Sequence, residues 1–358
     1  MNSQIVIIVG QLEAGIGRHV VDFIKYSYND VVLITDLGAS DDFLIEEISS
    51  RNITIFDLSI KKSPSLIDIK NVFRIRWLLR GYKALKIIGH GAKGGLYARL
   101  MKLFYPQRVY AYYIPHGGVL HYSKQTFYGR IFFCIEYFLS FLTKKVFFES
   151  NYSKNEYFRK IKCLNESKFK IIFNGIDFKL IKKRHTPIKH LKICCVGQIR
   201  YLKGIDILLR ALSLLKDSDI DFVCDIYGKG SGLYFEECEE FIKSQNLSKN
   251  INFLYTDKMF KIFKEYNVYV QPSRAESFGL AALEAYAANC NLILSNVGGL
   301  SENFHAISGV SFFKNGNHFE LYEALKKIDF KTIPDCDESL LDNYEIKKSV
   351  SNYLAEIK

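Results

Sequence analysis

Short β-branched runs alternate with helix-length amphipathic segments along the whole sequence, and this alternation limits the possible folds more than any other feature. The runs predicted as strands are residues 5–10, 31–34, 54–57, 85–89, 109–114, 146–149, 170–173, 192–196, 222–227, 251–254, 268–271 and 291–295. Strands that alternate with helices in this way form parallel sheets covered by helices on both faces. The pattern therefore predicts an α/β fold class with doubly wound parallel sheets.

A polar, basic stretch interrupts the alternation at residues 179–192, "KLIKKRHTPIKHLK", which contains Pro187 and has no clear hydrophobic period. The chain has 358 residues, more than a single hydrophobic core usually serves. We therefore predict two Rossmann-like domains, residues 1–184 and 185–340, that face a central cleft. Residues 341–358 are predicted to form a C-terminal helix that packs back on the first domain.

The formal net charge of +11 predicts an anionic partner. A nucleic acid, a phospholipid surface and a phosphorylated small molecule all have the required charge. The basic residues occur in scattered groups such as Lys182-Lys183-Arg184 and form no long basic block. We therefore expect no nucleic-acid partner and keep the anionic membrane surface and the phosphorylated ligand.

The cysteines and the N-terminal sequence predict a cytoplasmic protein. None of the eight cysteines forms a C-x-x-C pair, and Cys194 and Cys195 lie inside an apolar run. This usage favours a reducing compartment without structural zinc. The sequence "MNSQIVIIVGQLEAG" has an apolar run of only five residues without a basic flank, so no signal peptide is expected.

The longest apolar segment is "FYGRIFFCIEYFLSFLTKKVFF", residues 127–148, and it is interrupted by Arg130, Glu136 and Lys144-Lys145. It is too short and too charged for a transmembrane helix, which needs about 18 or more apolar residues. Two interpretations remain open. The segment is either a buried helix that leads into a strand at Val146 or a helix that lies on a membrane surface, which would place the protein peripherally on the inner face of the plasma membrane.

A glycine-rich loop follows the first predicted strand in "VGQLEAGIGRHV", with glycines at positions 10, 15 and 17. Glycines between a strand and a helix let backbone N–H groups approach an anion closely. The loop matches neither the Walker pattern nor the G-x-G-x-x-G dinucleotide pattern. A binding loop and a tight turn without a ligand are therefore both compatible with it.

Two histidines lie at the carboxyl ends of predicted strands in the first domain. His90 and Lys93 occur in "IIGHGAKGGLYARL", and His116 occurs in "YIPHGGVLHYS". Ligands of doubly wound sheets bind at this edge. We predict a site role for His116 and an acceptor-side role for His90 and Lys93, the alternative being histidines with a purely structural role.

In the second domain, "CCVGQIRYLKGIDILLRAL" places Gly197 at a strand end and Arg200 and Lys203 in the following loop. An arginine and a lysine at the edge of a parallel sheet suit a diphosphate. The alternative is two solvated surface cations.

The segment "AESFGLAALEAYA" places Glu276 in a loop and Glu284 eight positions later in an alanine-rich helix. The backbone N–H groups at the start of that helix can hold an anion, and the two carboxylates can accept hydrogen bonds from hydroxyl groups. This combination predicts a ligand that is both phosphorylated and rich in hydroxyl groups. The alternative makes Glu276 a helix-dipole residue and Glu284 a solvated one.

Taken together, several motifs resemble the retaining glycosyltransferases of the two-lobed B-type fold, group 1 and family 4-like, of the bacterial surface-polysaccharide type. The motifs are "AGIGRHV", "PHGG", "FNGID" at residues 173–177, "VGQIRYLKG", "ESFGLAALE" and "VGGLSE". The resemblance covers nearly the whole chain. It implies an acceptor-binding first domain and a nucleotide-sugar-binding second domain.

The resemblance also implies roles for individual residues. Glu276 would contact the sugar hydroxyls of the donor, Glu284 the ribose hydroxyls, and Arg200 and Lys203 the diphosphate, while His116 would lie near the reacting sugar. The remaining donor-binding positions would be Gly15, Gly17, Gly197, Ser277, Phe278, Gly279 and Leu280.

Two positions depart from the family pattern. Gln198 stands where the family commonly has arginine, and Ala14 stands in place of the first residue of a Gly-Gly pair. Arg200 either substitutes for the usual cation at position 198 or that cation is absent.

The implied activity is transfer of a hexosyl or N-acetylhexosaminyl group, with retention, from a nucleotide-diphosphate donor to a lipid-linked or glycan acceptor. The segment "ESFGL" favours a UDP-sugar. No D-x-D motif follows a predicted strand in a suitable place, so neither a metal nor another cofactor is expected. The alternatives are a nucleotide-sugar epimerase or glycosyl phosphorylase of the same fold and a non-catalytic subunit that binds a sugar nucleotide.

Overall fold

The computed structural model describes residues 4–27, 30–162, 165–218, 220–256, 258–307 and 309–357. The chain divides into two compact units. The first contains the residues up to Gly175 together with those from Ile346 onward, and the second is Ile176–Glu345. The sequence placed the two boundaries at 184/185 and 340/341, whereas the structure has them at 175/176 and 345/346.

The strands of the described residues form two sheets in which every pairing is parallel. The strands of the first unit are β1 Gln4–Val9, β2 Val31–Thr35, β3 Ile53–Asp57, β4 Leu85–His90, β5 Val109–Ile114, β6 Lys145–Phe148 and β7 Phe169–Ile171. Those of the second unit are β8 Leu191–Val196, β9 Phe222–Tyr227, β10 Ile251–Leu254, β11 Val268–Gln271, β12 Asn291–Ser295 and β13 Val310–Phe313. The sheet orders are β3-β2-β1-β4-β5-β6-β7 and β10-β9-β8-β11-β12-β13.

Helices connect successive strands. The helices of the first unit that precede the second are α1 Ala14–Tyr26, α2 Asp42–Ser49, α3 Ile67–Leu78, α4 Gly91–Phe104, α5 Phe127–Phe141 and α6 Asn151–Ile161. The second unit contains α7 Ile205–Lys216, α8 Leu233–Ser244, α9 Met259–Ile262, α10 Leu280–Ala287, α11 Gly298–Phe304, α12 His318–Lys327 and α13 Glu338–Leu341. Helix α14, Ile346–Glu356, follows and belongs to the first unit.

The central strands are apolar on both faces because helices cover both sides of each sheet. In β1, Ile5 and Ile7 belong to one hydrophobic cluster, whereas Val6 and Ile8 belong to another on the opposite face. All four side chains are buried. The two doubly wound units confirm the predicted α/β fold class.

Helix α4 packs against the first sheet at very short range. A Cβ atom added to Gly94 would lie 2.1 Å from the carbonyl oxygen of Ile8, and one added to Gly89 would lie 2.4 Å from the carbonyl oxygen of Gly94. Only glycine allows this approach. Glycines in "GHGAKGG" therefore bring α4 onto β1 and β4 and hold the helix start beside His90.

Helix α14 completes the core of the first unit. Ile346, Val350 and Tyr353 lie in the same hydrophobic cluster as the β1 residues Ile5 and Ile7. In addition, the Ser349 hydroxyl donates a hydrogen bond to the carbonyl oxygen of Phe173 at 2.7 Å. The polar segment at the C-terminal end of the sequence is therefore an integral part of the first unit.

Each of the twelve predicted strands overlaps an observed strand, but the sequence interpretation missed β13. This strand has four residues, "VSFF", and pairs with β12 from Leu292↔Val310 to Ser295↔Phe313. It lies at the edge of the second sheet. A run of four residues at a sheet edge gives too weak a hydrophobic pattern to separate it from a loop.

The seven cysteines among the described residues are unpaired thiols. Cys163 and residues 1–3 lie outside the described residues. None of the helices in the described ranges combines the length and the hydrophobicity needed to cross a bilayer.

A buried ion pair joins α4 to α5. The guanidinium of Arg99 donates to both carboxylate oxygens of Glu136 at 2.7 and 2.8 Å, and the Tyr157 hydroxyl donates to the same carboxylate at 3.2 Å. The Arg99 guanidinium also lies 4.0 Å from the centre of the Tyr113 ring. Burial alone would lower the pKa of Arg99, but the Glu136 charge holds it above its ordinary value.

We expect Glu136→Ala to destabilise the first unit by about 3–5 kcal/mol, because Arg99 is then left buried without a counter-charge. Urea unfolding followed by circular dichroism measures this change. Glu323→Ala breaks the exposed α12 pair with Lys327 and should change the free energy of unfolding by less than about 1 kcal/mol. Equal effects of the two substitutions would show that the buried pair has no special contribution.

Candidate active site

The ammonium group of Lys203 and the carboxylate of Glu276 form an ion pair in the second unit, with 2.7 Å between Nζ and Oε2. Lys203 ends a short 3-10 helix after β8, and Glu276 lies in the loop between β11 and α10. Since β8 and β11 are parallel neighbours, their carboxyl ends share one edge of the sheet. The two side chains remain 21% and 16% exposed, so a ligand can reach them.

Further hydrogen bonds fix the Glu276 carboxylate. The Gln271 amide donates to Oε2 at 2.7 Å, and the backbone N–H of Ser277 donates to Oε1 at 3.2 Å. Gln271 is buried at the end of β11, and its own amide oxygen accepts from the Tyr269 hydroxyl at 3.0 Å. The carboxylate is therefore oriented by a chain of hydrogen bonds that starts inside the sheet.

Glycines bring the two loops of this site together. Gly204, at φ +66°, lies so close to Pro272 that an added Cβ atom would be 2.0 Å from the Pro272 carbonyl oxygen. Gly279, at φ +99°, would place a Cβ atom 2.5 Å from the Leu300 side chain. Both backbone conformations favour glycine. Gly197 lies beside the Lys203 side chain, because an added Cβ atom would be 3.5 Å from Lys203 Cδ.

The predicted anion-binding residues Ser277, Phe278 and Gly279 directly precede α10, which begins at Leu280. Glu284 lies half-buried on this helix. Burial raises the pKa of Tyr269, and the negative charges of Glu276 and Glu284 raise it further. Both glutamates therefore lie within electrostatic range of the Tyr269 hydroxyl.

Arg200 differs from Lys203 in its surroundings. It is exposed at the start of the short helix, and it has no ion-pair partner among the residues that the structure describes. Its guanidinium is therefore available to an anion, whereas the family arginine position is occupied by the half-buried Gln198.

Sequence reasoning missed Arg274. Its guanidinium donates to both carboxylate oxygens of Asp206 at 2.7 Å and to the Tyr201 carbonyl oxygen at 2.7 Å, and it lies 3.8 Å from the centre of the Tyr201 ring. Burial alone would raise the pKa of Asp206, but hydrogen bonds from Arg274 and Tyr234 hold it below its ordinary value. Arg274 thus fixes the loop that carries Lys203. No local sequence signal indicates this pairing, because the two residues are 68 positions apart.

In the first unit, Gly15 and Gly17 lie in the first turn of α1 and have different surroundings. Gly15 is exposed, whereas Gly17 is buried and would place a Cβ atom 2.6 Å from Leu44 Cδ1 and 2.7 Å from the Leu12 carbonyl carbon. Gly17 therefore allows α1 to pack closely on its neighbours. Ala14 has φ +48°, a left-handed conformation that explains why glycine suits this position in the family pattern.

The structure brings His90 and His116 together at the carboxyl ends of β4 and β5. His90 Nδ1 and His116 Nε2 are 3.0 Å apart, and the two rings are stacked. His116 has φ +50°, which is uncommon for a residue with a side chain. Strained backbone of this kind often occurs at functional sites.

Sequence reasoning also missed Glu149 and His19, which complete the surroundings of these histidines. Glu149, just after β6, lies 2.8 Å from His116 Nδ1 through its Oε1 atom, and both side chains are buried. His19 of α1 contacts the other two rings edge-on or tilted. Burial, with a smaller contribution from His116, lowers the pKa of His19 to about 3. The pKa of His90 is also lowered, mainly by burial.

The ammonium group of Lys93 is paired with a carboxylate and is not an unpaired cation beside His90 and His116. It forms an ion pair with Asp68 of α3, whose other carboxylate oxygen accepts from the Tyr97 hydroxyl. Lys93 therefore links α4 to α3 in this structure.

The chain is similar to several known glycosyltransferases. Residues 177–329 match the family described as "Glycosyl transferases group 1". The O-antigen biosynthesis glycosyltransferase WbnH of Escherichia coli is 26% identical over 238 residues, which are 66% of this chain. The lipopolysaccharide core biosynthesis mannosyltransferase LpcC of Rhizobium leguminosarum bv. viciae is 30% identical over 146 residues, which are 37% of this chain. The chain spans 65% of the length of the first relative and 41% of the second.

The fold is shared with solved structures over the whole chain. The crystal structure of HepE from Anabaena, in complex with UDP and glucose, superposes with a TM-score of 0.82 at 14% identity and covers 99% of both chains. Residues 177–329 therefore match the group 1 glycosyl transferases, and the chain as a whole shares the two-domain B-type fold of glycosyltransferase structures.

Proposed function

We propose that this protein is a retaining glycosyltransferase that moves a sugar from a nucleotide-diphosphate donor to a lipid-linked or glycan acceptor in bacterial surface-polysaccharide synthesis. The observation that carries the proposal is the Lys203–Glu276 pair, 2.7 Å apart at the carboxyl edge of the second sheet. It places a phosphate-binding cation next to a hydroxyl-binding carboxylate. In a sugar diphosphate, a phosphate group for the cation and hydroxyl groups for the carboxylate lie side by side.

Each group has a distinct proposed role. Lys203 and Arg200 neutralise the diphosphate, and the N–H groups of residues 277–280 add donors at the start of α10. Because charge accumulates on the leaving diphosphate when the sugar bond breaks, preorganised cations and donors lower the barrier without a metal at this position. Glu276 accepts hydrogen bonds from the sugar hydroxyls and Glu284 from the ribose hydroxyls.

Different observations support the proposed donor and the proposed acceptor. A UDP-sugar is proposed because the relative of similar fold, HepE, was solved with UDP and glucose, and because the sequence carries "ESFGL". The acceptor class is proposed from the names of the O-antigen and lipopolysaccharide-core relatives. His90 and Lys93 are proposed as acceptor-side residues, Gly15 and Gly17 as donor-binding residues, and His116 as a residue near the reacting sugar.

We further propose that the first unit rests on the anionic inner face of the plasma membrane. Helices α3 and α5, which both contact α4, each expose an apolar stripe at helical spacing. The exposed side chains are Leu66, Ile69, Phe73 and Trp77 along α3 and Phe127, Tyr128, Ile131, Ile135, Phe138 and Phe141 along α5.

The charges near these stripes favour an anionic surface. Lys70, Arg74 and Arg76 of α3 and Arg130 of α5 are exposed. In contrast, the acidic residues of the two helices are Asp68 and Glu136, and both are paired with cations of α4. Exposed aromatic residues with unpaired cations are typical of helices that lie in a membrane interface.

We expect Lys203→Ala and Glu276→Gln each to lower the rate of donor turnover by about 10²–10³-fold, the usual effect of removing one preorganised group that stabilises developing charge. Turnover is measured as hydrolysis of a panel of UDP-sugars by the purified protein, in which water takes the sugar and UDP is released. Lys249→Ala, at an exposed position of the same unit, is the matched control and should leave the rate unchanged.

Unchanged rates for Lys203→Ala and Glu276→Gln would contradict the assigned roles. Conversion of a UDP-sugar to its epimer without acceptor would support the epimerase alternative. Binding of UDP-sugars by the wild-type protein without any turnover would support the non-catalytic subunit.

We expect Phe138→Ser to weaken partition onto phosphatidylglycerol vesicles by at least about tenfold, because burial of an aromatic side chain contributes about 1.5–3 kcal/mol. Vesicle sedimentation measures the bound fraction. Phe319→Ser removes an equally exposed phenylalanine from the second unit and should have no effect. Equal binding to neutral phosphatidylcholine and anionic vesicles would show that the cations of α3 and α5 are not involved.

A further inference from the structure

Gln271, the last residue of β11, places a polar side chain in a buried position of the second sheet. Tyr269 and Gln271 are two positions apart in the strand, so their side chains point to the same face. The two residues are 0% and 4% exposed. Val268 and Val270 point to the opposite face and belong to the hydrophobic core of the unit. Because a buried amide is costly unless it is hydrogen-bonded, the groups that pair with Gln271 define what this position does.

The charge of Glu276 fixes the direction of the hydrogen bonds on either side of Gln271. An ionised carboxylate can only accept, so the amide nitrogen of Gln271 must face Glu276 Oε2, which lies 2.7 Å away. The amide oxygen then faces Tyr269 and accepts from its hydroxyl at 3.0 Å. Burial raises the pKa of Tyr269, so the hydroxyl keeps its proton and remains a donor. The three side chains can therefore form these two hydrogen bonds in one orientation only.

Glu276 Oε2 accepts from two donors that are held in different ways. Lys203 Nζ lies 2.7 Å from this oxygen, and the Lys203 side chain is 21% exposed. Gln271 is buried in the strand end and is anchored by Tyr269. In the proposed function, Lys203 also binds the diphosphate of the donor. When the ammonium group turns towards the diphosphate, Gln271 is the donor that continues to hold Oε2.

We propose that Gln271 is a positioning residue for the sugar part of the donor and acts through Glu276. It orients the carboxylate that accepts hydrogen bonds from the sugar hydroxyls, and it has no role towards the nucleotide. The proposal rests on the proposed function, in which Glu276 binds the sugar and Lys203 binds the diphosphate. It adds a division of donor binding: loss of Gln271 affects a nucleotide that carries a sugar and leaves the nucleotide alone unaffected. The competing description is a purely structural glutamine that supports the whole site.

The experiment compares ligands with and without the sugar. Dissociation constants of the full chain for UDP, UDP-glucose, UDP-galactose and UDP-N-acetylglucosamine are measured by isothermal titration calorimetry. We expect Gln271→Leu to weaken binding of the UDP-sugars that the wild-type protein binds by about tenfold, the lower end of what a hydrogen bond to a charged group contributes. Its affinity for UDP should be unchanged. Lys203→Ala should weaken the binding of UDP and of the UDP-sugars alike, because all of them carry the diphosphate.

A second variant separates positioning from stability. Gln271→Leu leaves the buried Tyr269 hydroxyl without its acceptor and should lower the melting temperature. The double variant Tyr269→Phe/Gln271→Leu removes both polar groups, and such a replacement by apolar groups of similar shape is nearly neutral for stability. It should melt near the wild-type temperature and keep the selective loss of UDP-sugar affinity. Gln245→Leu, at an exposed position of the same unit, is the matched control and should bind all ligands like the wild-type protein.

Equal losses of affinity for UDP and for the UDP-sugars in the double variant would overturn the inference, because Gln271 would then support the site as a whole. Unchanged affinities for both kinds of ligand would overturn it too. A wild-type protein that binds none of the UDP-sugars would contradict the proposed function itself, and the inference would fail with it. Failure of the inference alone is therefore recognised by a wild-type protein that binds a UDP-sugar.

Discussion

The contact between the Gly204 backbone and the Pro272 carbonyl determines the geometry of the candidate donor site. A side chain at position 204 would meet the carbonyl oxygen at 2.0 Å, so only glycine lets the loop after β8 touch the loop after β11. A hydrogen bond from the Arg274 N–H to the Leu202 carbonyl oxygen, 2.8 Å long, joins the same two loops. Lys203 reaches Glu276 because the backbones of the two loops that carry these residues are held together.

Three buried or half-buried carboxylates in the two units are each matched with a cation. Glu136 is matched with Arg99, Asp206 with Arg274, and Glu276 with Lys203 and Gln271. The first two pairs join helices or fix loops. The third pair lies at a sheet edge where ligands bind. Because Lys203 and Glu276 are partly exposed, each can release the other and bind the substrate instead.

The sequence predicted much of the fold because periodicity is a local signal. The β1 run "QIVIIV" identifies a strand without knowledge of its neighbours, and the chemistry of Lys203 and Glu276 could be placed at strand ends for the same reason. Contacts between distant segments could not be predicted in this way. Glu149 meets His116, and Arg274 meets Asp206, only after the sheets have formed, and Lys93 pairs with Asp68 because α3 and α4 pack together. The short edge strand β13 was missed because four residues carry little periodic signal.

Helix α14 has a consequence for how the protein is made. Its Tyr353 packs against His19, Phe23 and Phe147, yet the ribosome synthesises it only after the entire second unit. The first unit therefore keeps an open apolar surface until α14 emerges from the ribosome. Until then, that surface is accessible to chaperones and proteases.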